Sequence, residues 1–317
     1  MLFNYILCSI IKERADVKIL QVPDRESIET DFAPMFALLW FVEDIVKTLN
    51  DRGLPFQIIS DTLHGFEAEI DDYYNMYGRS GMRVFVSWFM HYVKCEIIRV
   101  GRLNFEFAPF NKQMRVYQKG NDIKILADGV SMHRRGMLFG SGGQDDEDGK
   151  FFAEIHEENG AITGYAANEF GECVPEKITL EGYKEVLKDG DEVLSVHIPA
   201  DEPFTVEVCE ESFKNVRDIM KKCYPEKNIK AFVCYSWLME KRLKEILGRE
   251  TNITRFADMF NAFPINSPGT GVISFLFHEN LPVEYKDLPE NTSMQRAVKK
   301  YLCDGNYFYE KGGIILF

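Results

Sequence analysis

A chain of 317 residues exceeds the usual single-domain length and is read as one large or two ordinary domains. With 45% hydrophobic and 27% charged residues it has ordinary globular composition and buries a core without staples. The 50 acidic residues against 37 basic ones give a net charge of −13, which argues against nucleic acid or an anionic membrane surface as the main partner, since both call for concentrated Lys and Arg.

The first residues, MLFNYILCSI, are apolar but short, without a basic n-region or a small-residue cleavage site, so a buried first element is expected rather than a signal peptide. No run approaches the roughly 18 apolar residues of a membrane-spanning helix. In MFALLWFVEDIVKTLNDRG the residues Leu38, Leu39, Val42, Ile45, Val46 and Leu49 recur at helical spacing, with Gly53 as a stop. DTLHGFEAEIDDYYNMYGRSG offers Asp61 or Thr62 as an N-cap and Gly78 as an end. MRVFVSWFMHYVKCEII is apolar nearly all round and predicts a buried helix running into a strand.

The period then changes to two. From Ile98 to Phe107, Val100, Leu103, Phe105 and Phe107 alternate with Arg99, Arg102, Asn104 and Glu106, and the slip at Gly101 suits a bulge. MRVYQKG and DIKILADG continue as short strands. GSGGQDDEDGK, residues 140–150, combines glycines with acids and reads as a linker or exposed loop. It lacks the Lys-Ser/Thr of a phosphate loop and the ligand order of an EF-hand. The Asn-Gly of FFAEIHEENGAITGYAAN predicts a hairpin.

Strands and helices alternate from Asp191 onward. VLSVHIP is a strand. Cys209, Phe213, Val216, Met220 and Cys223 share one helix face. NIKAFVCYSWLM is a long strand, EKRLKEILG a short helix closed by Gly248, and TNITRFADMFNAF a helix capped by Thr251 or Asn252. GVISFLFHEN is expected as a buried strand, SMQRAVKKYLCDG as a helix, and NYFYEKGGIILF as a hairpin about Lys311-Gly312-Gly313. The seven cysteines are scattered, odd in number and form no CxxC pair, so no disulfide framework and no metal site are expected. They read as small apolar residues in a reducing cytoplasm.

GRLNFEF (101–107), LSVHIPADEPF (194–204), CYSWLM (234–239), NITRFADMF (252–260), FLFHENLP (275–282) and the ending NYFYEKGGIIL resemble bacterial acyltransferase-domain proteins. Those proteins pair an N-terminal N-acyltransferase-like domain with a GNAT-like C-terminal domain. The resemblance covers most of the chain and implies a mixed α+β/α/β fold with a GNAT-like central sheet flanked by helices. The expected division is 1–145, helices then strands, and 146–317, GNAT-like. It also implies acetyl-CoA or another acyl-CoA as co-substrate, bound in a V-shaped opening between VLSVHIP and KAFVCYSWLM, and a small-molecule or peptide amine as acceptor. Family members hold the pyrophosphate with a glycine-rich loop at a helix N-terminus. Here PADEPFTVEVC has no glycine and carries Asp201, Glu202 and Glu207, charges that stabilise a helix start and repel phosphate.

GNAT-type transfer requires a base for the ammonium, a donor to the thioester carbonyl, and an acid for the departing thiolate. His197 and Glu279 are the base candidates and Tyr235 the acid. Ile198, Thr205, Ser236, Asn252 and Arg255 are candidates for the acyl-CoA, and Ser195 and His278 for the acceptor. Each has a plainer alternative: a strand-end histidine bonded to a loop, a solvated strand end, or a solvated helix face. Cys234, inside an apolar strand, reads as core rather than as a nucleophile. The alternative to an acyltransferase is a GNAT-shaped binding module, catalytically degenerate, whose cleft takes another ligand or a protein partner.

Overall fold

The computed structural model describes residues 28–79, 81, 86–199, 205–248, 250–279 and 281–317. The opening apolar segment and most of the loop between Pro199 and Thr205 therefore lie outside the described residues. Two compact units emerge. One contains the described residues up to Phe107 together with His197–Lys227, and the other contains Ala108–Val196 and Asn228–Phe317.

The first unit begins with helices α1 (Ile28–Asp51), α2 (Phe56–Tyr77) and α3 (Val86–Val93). Phe41, Ile45 and Leu49 bury one stripe of α1, whereas Leu39 of the expected stripe is exposed. α2 starts at Phe56, five residues before the expected cap. Thr62 lies inside it, donating to the Ile58 carbonyl and accepting from the Arg99 N–H at 2.9 Å. Gly78 ends α2 in the left-handed region, as expected.

Strands β1 (Ile97–Val100) and β2 (Leu103–Pro109) follow as an antiparallel hairpin pairing Val100 with Leu103. The slip at Gly101 is thus the hairpin turn, not a bulge. Its φ is +61°, and a Cβ there would stand 2.7 Å from Ser212 Oγ, so glycine is required twice over. The alternating polar residues are not a wet face: Arg99, Arg102 and Asn104 are buried. Ser212 belongs to α4 (Val206–Cys223), whose predicted face of Cys209, Phe213, Val216, Met220 and Cys223 is buried throughout. It accepts from the Arg102 N–H at 2.9 Å.

In the second unit, β3 (Met114–Lys119), β4 (Asp122–Ala127), β5 (Val130–His133), β6 (Lys150–Ala153), β7 (His156–Glu158), β8 (Ala161–Ala167), β9 (Cys173–Glu181) and β10 (Lys184–Leu187) precede the central strands. Six of them form one sheet, in the order β10-β3-β4-β8-β7 with β9 also on β8, while β5 pairs with β6. The β7–β8 turn has Asn159 and Gly160 both at positive φ, the backbone that an Asn-Gly hairpin predicts. Residues 140–150 are anchored rather than loose. Ser141 and Gln144 are buried, Gln144 bonds to the Tyr309 hydroxyl, and Asp146 takes a 2.6 Å bond from buried His133. The acids face solvent while the polar residues before them plug into the body of the unit.

The second sheet of this unit runs β11 (Glu192–His197), β12 (Ala231–Ser236), β14 (Lys311–Leu316), β13 (Asn261–Pro264). β13 was not foreseen, because NAF reads as the end of the preceding helix. The C-terminal segment is one strand held between β12 and β13, not a hairpin about Gly312-Gly313. Those glycines sit mid-strand because rings cover them: a Cβ on Gly312 would collide with the Phe263 ring. Val193, Ala231, Val233 and Ile314 share one core with Met114, Val116 and Ile125 of the first sheet.

Four further helices complete the unit: α5 (Leu243–Leu247), α6 (Asn252–Asp258), α7 (Thr270–Leu276) and α8 (Ser293–Cys303). GVISFLF, expected as a strand, is therefore helix α7. Its Val272 and Ile273 bury against Val298 and Leu302 of α8, while Ser274 and Phe275 are exposed, a one-sided demand that a strand's alternation does not meet.

Candidate functional site

β11 and β12 run parallel and pair at Val193–Ala231, Leu194–Phe232 and Ser195–Val233. Among the described residues no further pair joins them, yet β12 continues through Cys234, Tyr235 and Ser236. On its other side β12 is paired with β14 at all six positions. The last three residues of β12 therefore extend past its last pair with β11 while staying bonded to β14.

Tyr235 lies on this extension of β12, opposite Gly312. Lys112 Nζ stands 4.6 Å over its ring and Phe263 meets it edge-on at 6.2 Å across the glycine. Burial lowers the pKa of the Lys112 ammonium. Ser236 accepts from the Leu238 N–H at 3.1 Å and so ends the strand in a tight turn, Trp237–Met239. Cys234 is buried, and burial pushes its thiol up to about 12, which disfavours the thiolate. Ser195 is also buried, on the core side of β11.

His197, the last residue of β11, belongs to the first unit. Its Nε2 is 2.8 Å from Glu106 Oε2, and the edge-on Trp88 ring lies 4.7 Å from its own. Glu106 also faces His91, whose Nδ1 is 3.4 Å from Glu106 Oε1 and 3.1 Å from Glu96 Oε2. Burial opposes ionisation of Glu106, but the His197 hydrogen bond and the two imidazoles outweigh it, and its carboxyl is held below its ordinary range. The chain Glu96–His91–Glu106–His197 was missed in the sequence. Glu106 was visible only as one of several polar residues in an alternating strand, and His91 as part of an apolar helix.

The remaining candidates are placed singly. Ile198 is half-buried beyond β11. Thr205 caps α4, its hydroxyl accepting from the Val208 N–H. Asn252 is the exposed first residue of α6; Thr251, not Asn252, is the cap, and Arg255 is exposed on the same helix. His278 and Glu279 are exposed after α7, with His278 at positive φ. They were expected to end a strand but instead follow a helix, α7. Among the described residues no group of three or more His, Cys, Asp and Glu is placed to hold a metal ion. No helix among them is long and apolar enough to cross a membrane.

A mixed sheet whose parallel central pair parts at the C-terminal ends, flanked by helices and preceded by a helical segment, defines a GNAT-like fold. The chain belongs to the family with the GNAT-like C-terminal domain, matched over residues 97–315; residues 7–95 match the N-acyltransferase N-terminal domain. The structure is similar to solved structures of an acyltransferase. With the complex of decanoyl-CoA and teicoplanin the TM-score is 0.64 at 17% identity, covering 99% of this chain and 76% of that one. With the complex of CoA and 10C-teicoplanin the TM-score is 0.63 at 17%, covering 99% and 76%. With a mutant in complex with octanoyl-CoA it is 0.63 at 17%, covering 100% and 76%. At that identity the likeness is one of fold. No curated protein matches the chain.

Proposed function

We propose that this protein is an acyl-CoA-dependent N-acyltransferase that moves an acyl group from a CoA thioester to the amine of a small molecule or peptide. The observation that carries the proposal is the parting of β11 and β12 after Ser195 and Val233 in a chain of this family. The stretch of β12 beyond its last pair with β11 is where the amide-bearing arm and thioester carbonyl of an acyl-CoA would lie, pairing with a strand as a peptide would. The solved acyltransferase complexes with CoA, decanoyl-CoA and octanoyl-CoA support the donor class, and teicoplanin supports a small-molecule acceptor.

In the proposed reaction, His197 takes one proton from the acceptor ammonium. The freed nitrogen lone pair forms the C–N bond at the thioester carbonyl carbon, and backbone N–H donors near the end of β12 hold the developing oxyanion. The C–S bond then breaks with its electron pair on sulfur, and Tyr235 at the end of β12 gives its hydroxyl proton to the thiolate. Tyr235 regains a proton from the second N–H leaving the acceptor nitrogen, and His197 releases the first proton to solvent. The products are an amide, free CoA thiol and one proton released to solvent.

A second reading is a binding module of the same shape. One observation favours it: the first turn of α4 is capped by Thr205 and carries Glu207, placing negative charge where a pyrophosphate would be cradled. Thermal unfolding with decanoyl-CoA, acetyl-CoA or CoA separates the two. A donor at 100 times its Kd should add about 2.7 kcal/mol of stability. No shift with any of the three would remove the acyltransferase reading and leave the module.

A further inference from the structure

We propose that Glu106 is a positioning residue that fixes the imidazole of His197 with its proton on Nε2, so that Nδ1 is the nitrogen that accepts the proton in acyl transfer. This deepens the reading of His197 as the base and rests on it.

The geometry carries the inference. Glu106 Oε2 stands 2.8 Å from His197 Nε2, and the carboxylate is mostly buried beside the half-exposed ring. An ionised carboxylate only accepts hydrogen bonds, so the nitrogen it faces must carry the hydrogen. The depressed pKa of Glu106 keeps it ionised at neutral pH. Among the described residues Nδ1 makes no hydrogen bond, and in the neutral ring bonded this way it holds the lone pair. The Trp88 edge, 4.7 Å from the His197 ring and 6.0 Å from that of His91, limits rotation of both rings.

The other oxygen of Glu106 faces His91, which also faces Glu96. Glu106 is thus held from two sides. When Nδ1 takes the acceptor's proton, the imidazolium charge forms next to a carboxylate already in place, with no side chain needing to move. An isolated strand-end histidine has no such compensation and no fixed tautomer.

Nitrogen-resolved NMR of the histidine rings in the whole protein, with His197→Ala for assignment, tests this directly. The expected result is His197 protonated on Nε2 and bare on Nδ1 at neutral pH, with the preference lost in Glu106→Ala and kept in Glu106→Gln, whose amide oxygen still accepts the bond. Thiol release from decanoyl-CoA, with n-hexylamine as acceptor, gives the functional arm. His197→Ala should lower kcat about 10²–10⁴-fold, the range of a general base. Glu106→Ala should lower it by a smaller factor of at least about tenfold, with KM for decanoyl-CoA unchanged, and Glu106→Gln should lose less. Melting curves identify any variant that fails to fold, and Glu106→Gln keeps the shape. A wild-type His197 protonated on Nδ1 overturns the inference. So does a Glu106→Ala protein as fast as wild type while His197→Ala is slow. Full turnover by His197→Ala overturns the base assignment itself, a different failure.

Discussion

Lys311 Nζ lies 3.1 Å from Glu240 Oε1, and neither side chain reaches solvent. Lys311 opens β14 opposite Ser236, and Glu240 follows the turn that ends β12. Glu172 Oε1 is 4.0 Å from the same ammonium and is bonded in turn by Arg242. Burial pulls the Lys311 ammonium toward deprotonation, and Glu240 and Glu172 pull it back. Removing Lys311 takes the nearest cation from the buried Glu240 carboxylate and leaves it the more distant Arg242 Nη1 at 4.0 Å. Lys311→Met should therefore cost about 3–5 kcal/mol in urea unfolding, and adding Glu240→Gln should recover part of the loss. Equal stability of Lys311→Met and wild type would show that the pair is dispensable.

Gly312→Ala should destabilise by about 1–3 kcal/mol, because the new methyl is driven into Phe263 in a filled core. The melting temperature reads the effect. Phe263→Leu in the same background should relieve it; a Gly312→Ala protein that melts like wild type would contradict the packing described here.

Glu106 links the histidine cluster to pH. Its folded pKa is depressed below the ordinary 4.5, so it contributes stability above that value, lost as pH falls through the folded value. The groups facing it are His197 and His91, with Glu96 beyond. Denaturation midpoints from pH 6 down to 3 should fall less steeply in Glu106→Gln than in wild type. Parallel curves would mean that Glu106 gains nothing from the two histidines.

Tyr235→Phe should slow thiol release while leaving decanoyl-CoA affinity intact, since only the proton for the thiolate is removed. Titration of donor binding beside turnover separates the two. Equal turnover would take the acid role from Tyr235.

The chain's hydrophobic periodicity was enough to place α4, whose five predicted residues all bury, and α8, where Thr292 and Gln295 form the capping box. The Asn-Gly hairpin was equally legible, because the turn demands a backbone that few residues adopt. His197 and Tyr235 stood out as polar residues near the ends of apolar strands. Glu106, the partner of His197, lies 91 residues away in sequence, and nothing local in LNFEF marks it. GVISFLF defeated the reading because a short apolar run fits either period, and only packing against α8 chose the helix.

By itself, then, the sequence determined what local chemistry can determine: the longer amphipathic helices, the Asn-Gly turn, and which family marks the chain carries. Tertiary structure decided what depends on residues far apart. It parted β11 from β12 after three pairs, threaded the final strand between β12 and β13, buried Lys311 against Glu240, and set Glu106 beside His197. Those relations are not written in any window of sequence, because each exists only when the burial of distant apolar faces brings the strands that carry it together.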